Sequence, residues 1–138
     1  MGLIRTLARL ALAWVFVYGG QDVLRNPEPR AKTGGPFVDW LRGIVPFLPQ
    51  DTILLVRADA GVMVGAGILL ALGKFPRFAA TALAAALVPT TLAGHRFWEE
   101  TDPRTRAMQR TQFLKNLGLF GGTLLVLAER PRRPRAKR

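Results

Sequence analysis

Apolar and polar positions are sorted into blocks along this chain. Four long apolar runs stand out, over about residues 3–24, 52–72, 75–94 and 113–128. The centre of the first, Leu10 to Tyr18, carries no charge. The second holds Arg57 and Asp59 near its start. The third is rich in alanine and leucine, with no ionisable residue between Arg77 and His95. Spanning a bilayer takes ~20 apolar residues, within a range of ~17–25, and the first three runs meet that directly. The fourth is short, but Asp102-Pro103 reads as an N-cap followed by proline at the first helical position. Its helix is therefore predicted to start near Pro103 and to run unbroken through about Ala128. A soluble bundle would show a polar face on each helix, and these runs show none. The first run leads into Gly19-Gly-Gln-Asp22 with no small-x-small cleavage site, so it is read as a retained helix rather than a signal peptide.

Between the first two runs, Phe37, Trp40, Leu41, Ile44 and Val45 follow i, i+3, i+4, i+7, i+8 spacing between Pro36 and Pro46. That pattern predicts a short amphipathic helix with Asp39 and Arg42 on its wet face, lying in the membrane interface. A surface that grips a partner protein is the alternative. The expected fold is thus all-α: an integral membrane four-helix bundle with a short interfacial amphipathic helix between helices one and two.

Composition sharpens this picture. The 138 residues include 20 Lys+Arg against 9 Asp+Glu, a net charge of +11, yet 49% are hydrophobic. Mean hydropathy is +0.18. The absence of cysteine excludes disulfides, thiolate metal sites and CxxC redox chemistry, and a single histidine excludes multi-histidine zinc and bis-histidine haem sites. There is no serine either, and a lone Thr–His pair is a poor nucleophile system. If the N-terminus is cytoplasmic, so are Arg5, Arg9, Lys74, Arg77 and the six basic residues of 130–138, opposed only by Glu129. Basic density in short segments then places both termini inside. Residues 1–129 are expected to form the transmembrane domain and 130–138 a basic cytoplasmic tail that touches anionic lipid, with no nucleic acid involved.

The candidate chemistry lies at membrane depth. Asp22 closes the first run, Arg57 and Asp59 lie near the start of the second, Thr90, Thr91 and His95 end the third after Pro89, and Lys115 and Asn116 begin the fourth. On the topology above these residues share the outer leaflet. A charge at mid-bilayer costs about 2.5–3.5 kcal/mol on insertion scales, so such residues face partners or a cavity. Asp22 with Arg57, and Asp59 with Lys115 or His95, are the charge-complementary pairs. Two readings stay open: an interhelical polar clamp, or an outer-leaflet pocket in which His95 and a hydroxyl hold a lipid headgroup or a quinone carbonyl. Gly61-Val-Met-Val-Gly65 and Gly118-Leu-Phe-Gly-Gly122 are GxxxG patterns, expected to bring helices into close contact.

Four segments stand out together: Arg57-Ala-Asp-Ala-Gly-Val-Met-Val-Gly-Ala-Gly67, Gly73-Lys-Phe-Pro-Arg-Phe-Ala-Ala80, Gly94-His-Arg-Phe-Trp98 and Gln112-Phe-Leu-Lys-Asn-Leu-Gly-Leu-Phe-Gly-Gly122. In this order they resemble the DoxX family of small four-helix membrane proteins. The resemblance implies a multi-pass protein of the bacterial plasma membrane, associated with redox systems; the family takes its name from a subunit of a thiosulfate:quinone oxidoreductase. It adds Trp98 to the candidate binding residues His95, Thr91, Asp59, Arg57, Asn116 and Asp22. In actinobacterial members of the family position 59 is often an amide, so Asp59 departs from that pattern and its inherited role stays open. The function it implies is an accessory subunit of a redox or quinone-linked complex, with other membrane subunits as partners and a quinone as the one cofactor to expect. It implies no stand-alone enzyme. A purely structural scaffold is the alternative.

Overall fold

The computed structural model describes residues 2–129, and the expected basic tail at 130–138 lies outside the described residues. The described residues form five helices and no strand: α1 (Gly2–Arg25), α2 (Glu28–Ile44), α3 (Thr52–Ala71), α4 (Pro76–Gly94) and α5 (Pro103–Ala128). Three of them, α1, α3 and α4, are long and apolar enough to cross a membrane.

The expectation for the last helix holds residue by residue. Asp102 accepts a 2.7 Å hydrogen bond from the Thr105 N–H, Pro103 takes the first helical position, and α5 runs without a break to Ala128. The bond to Thr105 also holds the Asp102 carboxyl below the usual carboxylate range. At α3 the same chemistry recurs, Asp51 accepting from the Ile53 and Leu54 N–H groups at 2.9 and 3.1 Å. Between α3 and α4 the chain reverses through a Schellman turn. Lys74 N–H bonds to Leu69 O and Gly73 N–H to Leu70 O, with Gly73 at φ +66°. That left-handed conformation is one that glycine adopts without a Cβ penalty.

The segment between α1 and α3 departs from expectation. The amphipathic helix is not confined between Pro36 and Pro46; α2 begins at Glu28 and carries Pro36 in its interior. Pro36 lacks the N–H that would bond one turn back, and Gly34-Gly35 precedes it, so the sequence reads as a break. Packing overrides this: Gly34 is buried, and a Cβ there would lie 3.4 Å from the Ala93 Cβ of α4. Nor does Arg42 lie on a free wet face. Its guanidinium bonds Asp39 Oδ1 at 2.7 Å, Pro49 O at 2.9 Å, Gln50 O at 2.7 Å and Thr52 Oγ1 at 3.1 Å, fastening α2 to the start of α3.

The largest helix interface joins α1 to α3. The α3–α4 and α4–α5 interfaces follow, while α5 touches α1 only lightly. The core is built of small and aliphatic side chains, with Ala13 and Phe16 of α1, Leu70 of α3, and Ala79, Ala80, Leu83 and Leu87 of α4 all buried. Around it, Leu10, Trp14, Tyr18, Leu54, Val62, Ile68, Val88, Leu117 and Leu125 are exposed. A soluble protein rarely leaves so large a continuous apolar surface to solvent; hydrocarbon is the solvent that suits it.

Three of the four glycines that define the GxxxG patterns make no close helix contact. Gly61, Gly65 and Gly118 have open space where a Cβ would stand, and only Gly122 meets a neighbour, Leu12, at 3.2 Å. The tight positions are Gly20, 2.8 Å from Val64 Cγ2 and 2.9 Å from the Ala60 carbonyl, and Gly67, 2.8 Å from Val17 Cγ2. The reason is facial: Ala60, Met63, Ala66, Gly67 and Leu70 form the buried stripe of α3, and Gly61 and Gly65 fall outside it.

Candidate functional site

The polar residues of the helices meet near the end where α2 packs. Thr90 on α4 donates its hydroxyl to Asp59 Oδ2 on α3 at 2.6 Å. One residue on, Thr91 accepts from the Asn116 amide of α5 at 3.0 Å while donating to the Leu87 carbonyl at 2.7 Å. Adjacent residues of α4 therefore reach in two directions and join three helices in one layer. Asn116 is 6% exposed, so its amide depends on this partner. A turn further along, His95 Nδ1 lies 2.8 Å from Gln109 Oε1, linking the end of α4 to the first half of α5. His95 stands one residue past the α4 span. Burial holds its imidazole below the ordinary histidine range, against the opposing pull of the Gln109 hydrogen bond, and Lys115 and Arg30 add to the lowering.

Not every expected member joins. Asp22 and Arg57 are both exposed, and the ion pairs among the described residues are Arg5–Glu129, Arg42–Asp39 and Arg96–Glu99. The expected Asp22–Arg57 pair is absent from them. Asp59 pairs with neither Lys115 nor His95; a neutral hydroxyl takes that place. In an antiparallel helix pair a residue two positions along faces elsewhere, and so Asp59 turns toward α4 while Arg57 turns outward. Trp98 belongs to a separate aromatic cluster, its ring 5.2 Å from Phe97 and 6.0 Å from Phe113 in edge-on contact. Pattern reading noted Thr90 after Pro89 but gave it no partner, and it passed over Gln109, which stands about two helical turns before Asn116.

No buried side-chain nitrogen or oxygen among the described residues lacks a partner. Beside the polar layer a groove of about 200 Å³ opens between α4 and α5, lined by Leu87, Thr91, Leu92, Phe113, Asn116 and Phe120 among others. Its wall is apolar except where Thr91 and Asn116 surface. Among the described residues no group of three acidic or histidine side chains could hold a metal ion.

Among the described residues, an all-helical fold with three spanning-length apolar helices, a lipid-suited exterior and polar side chains paired between helices defines a helical membrane protein. The sequence profile of the DoxX family matches residues 4–96, two thirds of the chain, and the chain belongs to that family. The match ends before α5, so the Gln112–Gly122 segment lies outside it. No curated protein and no solved structure matches the chain.

Proposed function

We propose that this chain is an accessory subunit of a membrane complex, with four spans, both termini cytoplasmic, and a polar layer that clamps α3, α4 and α5 in register. The observation that carries this reading is mutual satisfaction: Asp59 with Thr90, Thr91 with Asn116, and His95 with Gln109 answer one another. These bonds run between helices, which is what holding helices in register requires. The four-span topology draws support from the meeting of the two described chain ends, where Arg5 Nε lies 3.9 Å from Glu129 Oε1. An even number of crossings brings both ends to one side.

A second reading keeps the groove as a binding site for a quinone. An asparagine amide has two N–H donors, and Asn116 gives one to Thr91, leaving the other for a ring carbonyl. The apolar wall suits an isoprenoid tail. The donor set therefore fits a quinone, which would supply two-electron redox chemistry to a partner subunit when bound.

Purification in mild detergent, with mass spectrometry of co-eluting proteins, lipids and quinones, tests both readings on wild type and Asn116→Leu. A clamp predicts a lower melting temperature with unchanged co-purifying quinone. A pocket predicts loss of the bound molecule at an unchanged melting temperature. Monodisperse chain with no reproducible protein partner overturns the accessory-subunit reading. A reporter fused at the C-terminus should fluoresce as a cytoplasmic fusion, and alkaline phosphatase activity there overturns the topology.

A further inference from the structure

The end of the molecule opposite the polar layer carries a second, larger cavity. It has a volume of about 700 Å³ and lies where the start of α1, the α3–α4 turn and the end of α5 come together. Three arginines line it, Arg5 and Arg9 from α1 and Arg77 from α4, against the single carboxylate of Glu129. Arg77 donates to the Glu129 carbonyl at 2.8 Å, and Arg5 makes only the long contact to its carboxylate. The Arg9 guanidinium lies under the turn, 3.7 Å from where a Cβ on Gly73 would stand, with no hydrogen bond or ion pair among the described residues. The α4 helix also starts here without a side-chain cap, and uncapped N–H groups add to the positive potential. Phe75 and Phe78, 75% and 67% exposed, flank the opening with apolar surface.

We propose that this cavity binds an anionic phospholipid, its phosphodiester held by Arg5, Arg9 and Arg77 and its acyl chains lying along Phe75 and Phe78. Guanidinium groups bind phosphate oxygens through paired N–H donors, a geometry lysine does not reproduce. Basic pockets at the ends of transmembrane helices are suited to such headgroups. The aromatic flanks favour a lipid over free phosphate, because inorganic phosphate has nothing to place there. Glu129 acts as an internal competitor that occupies part of the basic rim. The inference is independent of the groove between α4 and α5 and of any partner.

The test uses the full chain, delipidated in a zwitterionic detergent and titrated with phosphatidylglycerol, phosphatidylcholine or inorganic phosphate while melting temperature and native mass are followed. Phosphatidylglycerol should bind and raise the melting temperature, with phosphatidylcholine at least tenfold weaker. Arg5→Gln/Arg9→Gln should weaken phosphatidylglycerol at least tenfold, whereas Arg132→Gln/Arg133→Gln, with the same loss of charge, should not. Glu129→Gln should tighten binding severalfold, which keeps the proposal testable if the double arginine variant fails to fold. Equal weakening by the tail variant, equal binding of phosphatidylcholine, or no gain from Glu129→Gln overturns the proposal. Inorganic phosphate displacing the lipid at equal concentration would make free phosphate the ligand and overturn it as well.

Discussion

Replacing Gly20 by alanine isolates the contact that holds α1 to α3. An added Cβ would stand 2.8 Å from Val64 Cγ2 and 2.9 Å from the Ala60 carbonyl. The valine is stiff at its first side-chain torsion, and the carbonyl belongs to helix backbone, so the helices themselves must separate. Overpacking of this kind costs about 1–3 kcal/mol. Alanine in place of glycine within a helix returns about 1 kcal/mol. The net loss is up to about 2 kcal/mol, which lowers the melting temperature by several degrees, roughly 2–8 °C per kcal/mol across small domains. Gly61→Ala supplies the contrast, since nothing lies within 4 Å of its Cβ position. Only the propensity term acts there, and stability should stay level or rise. Thermal unfolding of both variants in one detergent, followed by circular dichroism, decides the matter. Gly61→Ala proving the more damaging would mean that α1 and α3 do not meet through Gly20, and that the GxxxG face does the packing.

Arg42→Lys should lower stability by about 1.5–3 kcal/mol, the range for hydrogen bonds to charged groups, and speed proteolysis between Val45 and Asp51; an unchanged cleavage rate would show that the guanidinium does not hold that loop. Thr90→Val and Asp59→Ala, measured singly and together, should couple by about 0.6–1.7 kcal/mol, as interhelical hydrogen bonds in membranes do, and additive effects would deny the 2.6 Å bond. His95 predicts a pH dependence. Its folded pKa is depressed below the ordinary 6.5, so the unfolded chain takes up the proton first as pH falls. The stabilisation is therefore complete above about 6.5 and is lost as pH drops through the folded value; His95→Gln should flatten the melting-temperature profile in that window, and an unaltered slope would refute the assignment.

The helices were legible wherever a local signal suffices. Apolar length gave α1, α3 and α4, and the Asp102-Pro103 pair located the start of α5 despite its polar first turns. Information carried by tertiary packing was not legible. Pro36 and Gly34-Gly35 argue locally against a helix, and α2 passes through them because Gly34 fits against Ala93. The polar layer was half read: Asp59, Thr91 and Asn116 were recognised as needing partners, but a rule based on charge chose Lys115 or His95 for Asp59 over the hydroxyl of Thr90. Within a helix, direction matters as much as depth, and a two-residue step carried Arg57 away from the layer that Asp59 enters. The GxxxG patterns misled for the same reason, since spacing alone does not say which face meets a neighbour.

The pairing of α1 with α3 rather than with α2 bears on how the chain is made. A ribosome releases α1 before its main neighbour exists, and the notch at Gly20 stays open until Ala60 and Val64 have followed. The latch on Arg42 closes only after Gln50 and Thr52 emerge, so α2 cannot settle earlier. A chain ending between Arg25 and Thr52 would therefore leave the notch at Gly20 without the α3 atoms that fill it. The α1–α3 interface thus closes only when the α3 face that carries Ala60 and Val64 meets the notch at Gly20.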